Sequence, residues 1–133
     1  MKQVVINGTT YNIDCNAFTY IKYQSFFKTG IIQDMNIIKN YLVKQTLISK
    51  KYEKENISEE KKNSIVAELL VNETDEFVRI VTQIVWILIF TANEQIISYE
   101  SWLKSIKKFN IADKWIAEVT EFAVATFCWW KIK

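Results

Sequence analysis

Val4-Val5-Ile6-Asn7-Gly8-Thr9-Thr10-Tyr11-Asn12-Ile13 is the stretch that decides the fold. Asn-Gly between two β-prone runs marks a two-residue type I′ turn, because both central positions need positive φ and these residues adopt it at least cost. With Asn7-Gly8 as the loop, Ile6 faces Thr9 and Val4 faces Tyr11. Val4, Ile6, Thr9, Tyr11 and Ile13 then share one mostly apolar face. A lone hairpin is marginal in water, so that face must lie on helices or on a partner.

Outward from the hairpin, everything reads as helix. Asp14 or Asn16 can N-cap a first helix that carries Phe18, Ile21 and Phe26 and stops at Gly30. A second helix, about Ile31 to Tyr52, places Ile31, Met35, Ile38 and Leu42 at helical spacing and continues through Tyr41, Ile48 and Tyr52. Residues 50–62 hold five lysines and four glutamates and are the best candidate for a mobile connection. Ser58 with Glu59 and Glu60 reads as an N-cap with an acidic first turn, opening a helix to about Val71. Thr74 with Asp75 and Glu76 repeats the signature before Phe77, Ile80, Val81, Ile84 and Leu88. From Ile84 to Phe90 the sequence is apolar on all sides, which predicts a central helix wrapped by the others. Ser98 caps a short helix with Tyr99, Trp102, Leu103 and Ile106. A last helix runs from about Ala112 to Trp130, with Ile116, Val119, Ala123, Phe127 and Trp130 on one side. The expected architecture is α+β and mainly helical. It is a single domain over 1–133, with a β-hairpin at 1–14 and five or six helices over 15–133.

Composition excludes much. The 133 residues are half apolar, and 17 Lys+Arg against 15 Asp+Glu give a net charge of +2. That is a globular composition for one domain, long enough to bury a core without staples, and it carries no basic excess that would predict nucleic-acid binding. Lysine outnumbers arginine sixteen to one, the usage of an A/T-rich coding sequence, so scarce arginine does not itself argue against nucleic acid. Histidine and proline are absent, and Gly8 and Gly30 are the only glycines. The commonest general base and metal ligand is therefore missing, and Gly-rich phosphate loops cannot be built. Cys15 and Cys128 lack CxxC spacing. One disulfide could join them, but two separate buried thiols in a reducing cytoplasm fit better. The most apolar run, 80–92, would span roughly 20 Å as a helix, short of the ~30 Å hydrocarbon core, so it reads as core and no membrane segment is expected. Nor is there a signal-peptide pattern at Met1-Lys2.

The remaining catalytic raw material is thin. Asp75/Glu76 and Glu59/Glu60 fall in expected first turns, where acidic side chains complement the helix dipole. Glu118 and Glu121 lie at i, i+3 and could share a cation, but no Glu-x-x-His accompanies them, so a solvated face is the simpler reading. Cys15 precedes a helix, where a thiol pKa can fall, yet no histidine stands by as base. The lysines of 50–62 alternate with glutamate and form no basic stripe. No cofactor and no metal are implied. Five tryptophans and eight phenylalanines exceed what a small helical core usually needs. Adjacent Trp129 and Trp130 point about 100° apart on a helix, so one core stripe cannot take both, and they are the candidate partner-binding residues. The open hairpin edges could also accept a strand. These features favour a binding module over an enzyme.

Ile6-Asn7-Gly8-Thr9-Thr10-Tyr11-Asn12-Ile13-Asp14-Cys15-Asn16-Ala17-Phe18 resembles the opening of small proteins in the tail gene clusters of long-tailed phages and prophages of low-GC bacteria. Those proteins begin with a short I-N-G-x-x-Y hairpin and continue as helices. Ser98-Tyr99-Glu100-Ser101-Trp102-Leu103, followed by Trp115-Ile116-Ala117-Glu118-Val119, is similar to their C-terminal helical pair. The family is the phage tail assembly chaperones, and the resemblance covers most of the chain in architecture. It implies a non-catalytic protein of the bacterial host cytoplasm that binds the tape measure protein, helps recruit major tail tube subunits and leaves before the particle is finished. It also implies that a frameshifted, C-terminally extended form can exist. Separately from the resemblance, a homo-oligomer is compatible with the sequence. The family has no strict binding motif, so the resemblance assigns no residue. The competing expectation is a tail completion or connector subunit retained in the particle.

Overall fold

The computed structural model describes residues 2–53 and 55–127. The order is β1 (Lys2–Ile6), β2 (Thr9–Ile13), α1 (Ala17–Phe27), α2 (Ile31–Glu53), α3 (Glu59–Leu69), α4 (Val71–Ala92), α5 (Tyr99–Ser105) and α6 (Lys114–Phe127). The protein is thus mainly helical α+β, with an N-terminal hairpin and six helices among the described residues.

The hairpin has the register its turn dictates. Ile6 pairs with Thr9 and Val4 with Tyr11, and both turn residues have positive φ, 50° at Asn7 and 82° at Gly8. Val4, Ile6 and Ile13 are buried and Tyr11 half-buried, whereas Val5 on the other face is exposed. The inner face rests on α4 and α6. Asn7 does more than turn the chain. Its Nδ2 donates to the Lys108 carbonyl at 2.9 Å, and the Lys108 N–H donates to its Oδ1 at 3.0 Å, which fastens the turn to the α5–α6 connection.

Helix α4 is the centre. Phe77, Ile80, Val81, Thr82 and every residue from Ile84 to Ile89 are buried, and α4 touches every other element except β1. The 80–92 run is therefore core. Ser58 and Ser98 cap α3 and α5 through their side chains. Of the charged stretch 50–62, residues up to Glu53 continue α2 and Glu59 onward form α3. The start of α4 differs from expectation. The helix begins at Val71 directly after α3, with Leu70 ending one helix and preceding the next and no side-chain cap. Thr74, instead of capping, has its hydroxyl hydrogen-bonded to that of Tyr41 at 3.1 Å. Asp75 and Glu76 consequently lie beyond the first turn.

Helix α1 also departs from its expected face. Ile21 is 69% exposed and Phe26 48%, whereas Thr19 and Tyr23 are fully buried. The polar residues go inward because each has a partner there. The Thr19 hydroxyl accepts from the Asn16 N–H at 3.1 Å, completing a capping box, and is hydrogen-bonded to Thr91 at 2.8 Å. Tyr23 donates to the buried carboxylate of Asp34 at 2.6 Å, and Thr29 donates to the same oxygen at 2.7 Å. The helix stops earlier than Gly30, at Lys28, whose φ of 65° turns the chain so that Thr29 reaches Asp34. Phe26 instead packs edge-on against Trp86 and Phe90, at ring separations of 5.0 and 5.3 Å. Trp86, Trp102 and Trp115 are all buried, which absorbs most of the aromatic excess into the core.

Burial first, and then the Asp34 carboxylate, push the Tyr23 hydroxyl well above the ordinary phenol range. A phenol whose folded value exceeds its unfolded one contributes fully below about pH 10 and loses that contribution as pH rises further. Stability to urea is therefore expected to fall above about pH 10. Tyr23→Phe should lower it by about 1.5–3 kcal/mol at neutral pH, since a buried carboxylate loses a donor, and should flatten the alkaline decline. At the turn, Asn7→Gly keeps the backbone geometry but removes the clamp, and should cost about 1–2 kcal/mol. Asn7→Ala should cost about 1 kcal/mol more because alanine resists positive φ, the two being compared by urea midpoint.

Candidate functional site

Helices α3 and α6 both pack on α2 and on α4 but not on each other. The gap between them is a cleft of about 570 Å³, with residues 110–113 of the α5–α6 connection also in its lining. Its floor is Tyr41 and Leu42 of α2 with Thr74 and Phe77 of α4. Val66, Ala67 and Asn63 form one wall, and Ile116, Ala117, Thr120 and Glu121 the other. The rings of Tyr41 and Phe77 stack at 4.6 Å and are themselves almost wholly buried.

The hydroxyls of the cleft are engaged internally. The Tyr41 hydroxyl is engaged with Thr74, and Thr120 donates to the Ile116 carbonyl at 2.6 Å. Gln45, Asn63, Asn110, Asp113 and Glu121 sit among the lining residues, and the two charged ones are both acidic. Such a surface can desolvate apolar groups, and it presents no nucleophile paired with a base. Its make-up suits the binding of apolar groups.

The carboxylates singled out in the sequence are dispersed. Glu118 pairs with Lys114 at 3.9 Å, Glu59 with Lys62 at 4.0 Å and Glu76 with Arg79 at 3.5 Å, all along single helices. Glu121 lines the cleft without Glu118. Among the described residues no group of three His, Cys, Asp or Glu could hold a metal ion, and no helix is long and apolar enough to cross a membrane. Trp129 and Trp130, the candidate partner residues, lie outside the described residues, as does Cys128. Helix α6 carries the chain as far as Phe127, whose buried ring meets Tyr20 edge-on at 5.3 Å.

Cys15 is half-buried between β2 and α1. Burial, with a smaller push from the Asp14 charge, raises its thiol pKa, and the Thr19 hydroxyl opposes this only in part. The thiol is thus protonated at neutral pH, the opposite of an activated nucleophile.

The cleft is what sequence reading misses. Its signal was the pair of small residues, Ala67 and Ala117, at wall positions where larger side chains would fill the gap. No protein-family model, curated protein or solved structure matches this chain, so the role of the cleft is argued from its own residues.

For Cys15, iodoacetamide is expected to modify the native Cys128→Ser protein several-fold more slowly at neutral pH than the urea-unfolded one. Equal rates, followed by mass spectrometry, would restore a reactive thiol.

Proposed function

We propose that this protein is a tail assembly chaperone of a long-tailed phage or prophage. In this reading it holds the tape measure protein through apolar surface in the cytoplasm of the bacterial host, helps bring major tail tube subunits to it, and carries out no catalysis. The observation that carries the reading is the α3–α6 cleft, a mostly apolar opening whose hydroxyls are hydrogen-bonded internally. A tape measure protein is long and aggregation-prone, and reversible cover of its apolar side chains needs this kind of surface. The resemblance of 6–18 and of the 98–103 and 115–119 pair to the family supports the same reading. Exposed Val43 and Leu47, one turn apart on α2, offer further apolar area, 50% and 61% exposed.

Co-expression with the longest open reading frame downstream of its gene tests the proposal. A soluble complex is expected in affinity pull-down and light scattering, with the long protein insoluble when made alone. If both are soluble apart and do not associate, the chaperone reading fails. Recovery of this chain from purified particles would instead support a retained tail completion or connector subunit.

A further inference from the structure

Resting on that reading, we propose that the α3–α6 cleft seats one face of an amphipathic partner helix whose apolar anchors are flanked by lysine or arginine. Three observations lead there. The walls are helices whose backbone groups are bonded internally, so nothing in the cleft offers a ladder to an added strand, and the occupant must supply its own backbone hydrogen bonds. A helix with side chains is about 10–12 Å across, so an opening of about 570 Å³ admits the side chains of one face and not the whole rod. Tyr41, Thr74 and Thr120 already satisfy one another or the backbone, so beside Phe77, Val66 and Ile116 the cleft takes apolar groups, with Gln45, Asn63 and Asn110 the uncharged polar side chains of its lining.

The charge of the flank follows from the rim. Asp113 and Glu121 are the charged residues of the lining. Asp113 accepts only the Asn110 N–H at 3.2 Å, and Glu121 makes no ion pair among the described residues. Among the lysines of the neighbouring helices, Lys44 faces Glu73 at 3.7 Å, Lys62 faces Glu59, and Lys114 faces Glu118, and no lysine lines the cleft. The charge within the lining itself is thus acidic and not ion-paired among the described residues, which draws a cationic helix and disfavours an acidic one.

The probes are two labelled peptides of about 18 residues, enough for a helix to be held once seated. Both have leucines at i, i+3, i+4 and i+7, one with lysine flanks and one with glutamate flanks. Fluorescence anisotropy with the full chain should show the lysine peptide binding about three- to tenfold tighter, the ratio two exposed rim pairs supply, with the gap narrowing as salt is added. In the Asp113→Lys/Glu121→Lys protein the preference should reverse. Ala117→Lys, and independently Ala67→Lys on the facing wall, should weaken both peptides by about tenfold or more, with thermal melting as the check on folding. Backbone amide shifts should move along α3 and α6.

Equal affinity for the two peptides, unchanged binding in both alanine variants, or shifts confined to the surroundings of Trp86, where Phe26 and Ile97 are exposed, would overturn the proposal. So would self-association that Ala117→Lys abolishes while neither peptide binds, since a second copy would then be the occupant. The two levels separate cleanly. If the downstream long protein is held as well by the Ala117→Lys chain as by the natural one, the cleft assignment fails and the chaperone reading stands. If the lysine peptide binds as stated but the long protein is not held, the outcome is the reverse.

Discussion

Helix α4 has no polar side to give to water between Ile84 and Ile89, and this constraint organises the rest of the molecule. A helix that is apolar all round is unstable until it is surrounded, and a chain of this size can surround it only by bringing nearly every other element to it. The few polar groups along α4 then decide which element sits where. Thr74 meets Tyr41 of α2, Thr82 meets Tyr99 of α5, and Thr91 meets Thr19 of α1. The Leu88 carbonyl accepts the Asp14 N–H at the exit of the hairpin, at 3.1 Å. Apolar burial supplies the drive, and these single hydrogen bonds fix the register because each would be costly to leave unmade inside the core.

The cleft is a by-product of the same arrangement. Leu70 joins α3 to α4 with no loop between them, which holds α3 on the α2–α4 side of the molecule. Helix α6 comes to α2 and α4 from the other direction, after the α5–α6 connection that Asn7 fastens. Two helices on one floor, each anchored elsewhere, leave the space between them unfilled. Helix α3 is the more lightly held wall, with Val66 as its one buried residue and Leu70 following it, so opening there requires the least apolar exposure.

What could be read from the sequence is what local chemistry decides. The Asn7-Gly8 turn imposes the pairing of Val4 with Tyr11. Ser58 and Ser98 cap through contacts within three residues of themselves, and the stripes of α4 and α6 follow from apolar spacing alone. What could not be read depends on partners distant in sequence. Tyr23 and Thr19 turn inward because Asp34 and Thr91 await them, and periodicity alone would favour Ile21 and Phe26. Thr74 has the composition of a cap and is used as a cross-helix tie. The cleft arises from two helices that do not touch, a relation that leaves only a pair of alanines as its trace.

The clamp between Asn7 and Lys108 joins residues 101 apart. On a ribosome adding roughly 5–20 residues per second, the hairpin therefore emerges some 5–20 s before the backbone that fastens its turn. Its inner face, Val4, Ile6 and Ile13, belongs against α4 and α6, and α6 is made later still. The hairpin, made before the six helices, is thus among the last of these elements to find its seat. Until then it is an unshielded strand pair with an apolar side, and the nascent chain itself passes through a stage in which it needs the kind of cover it is proposed to give others.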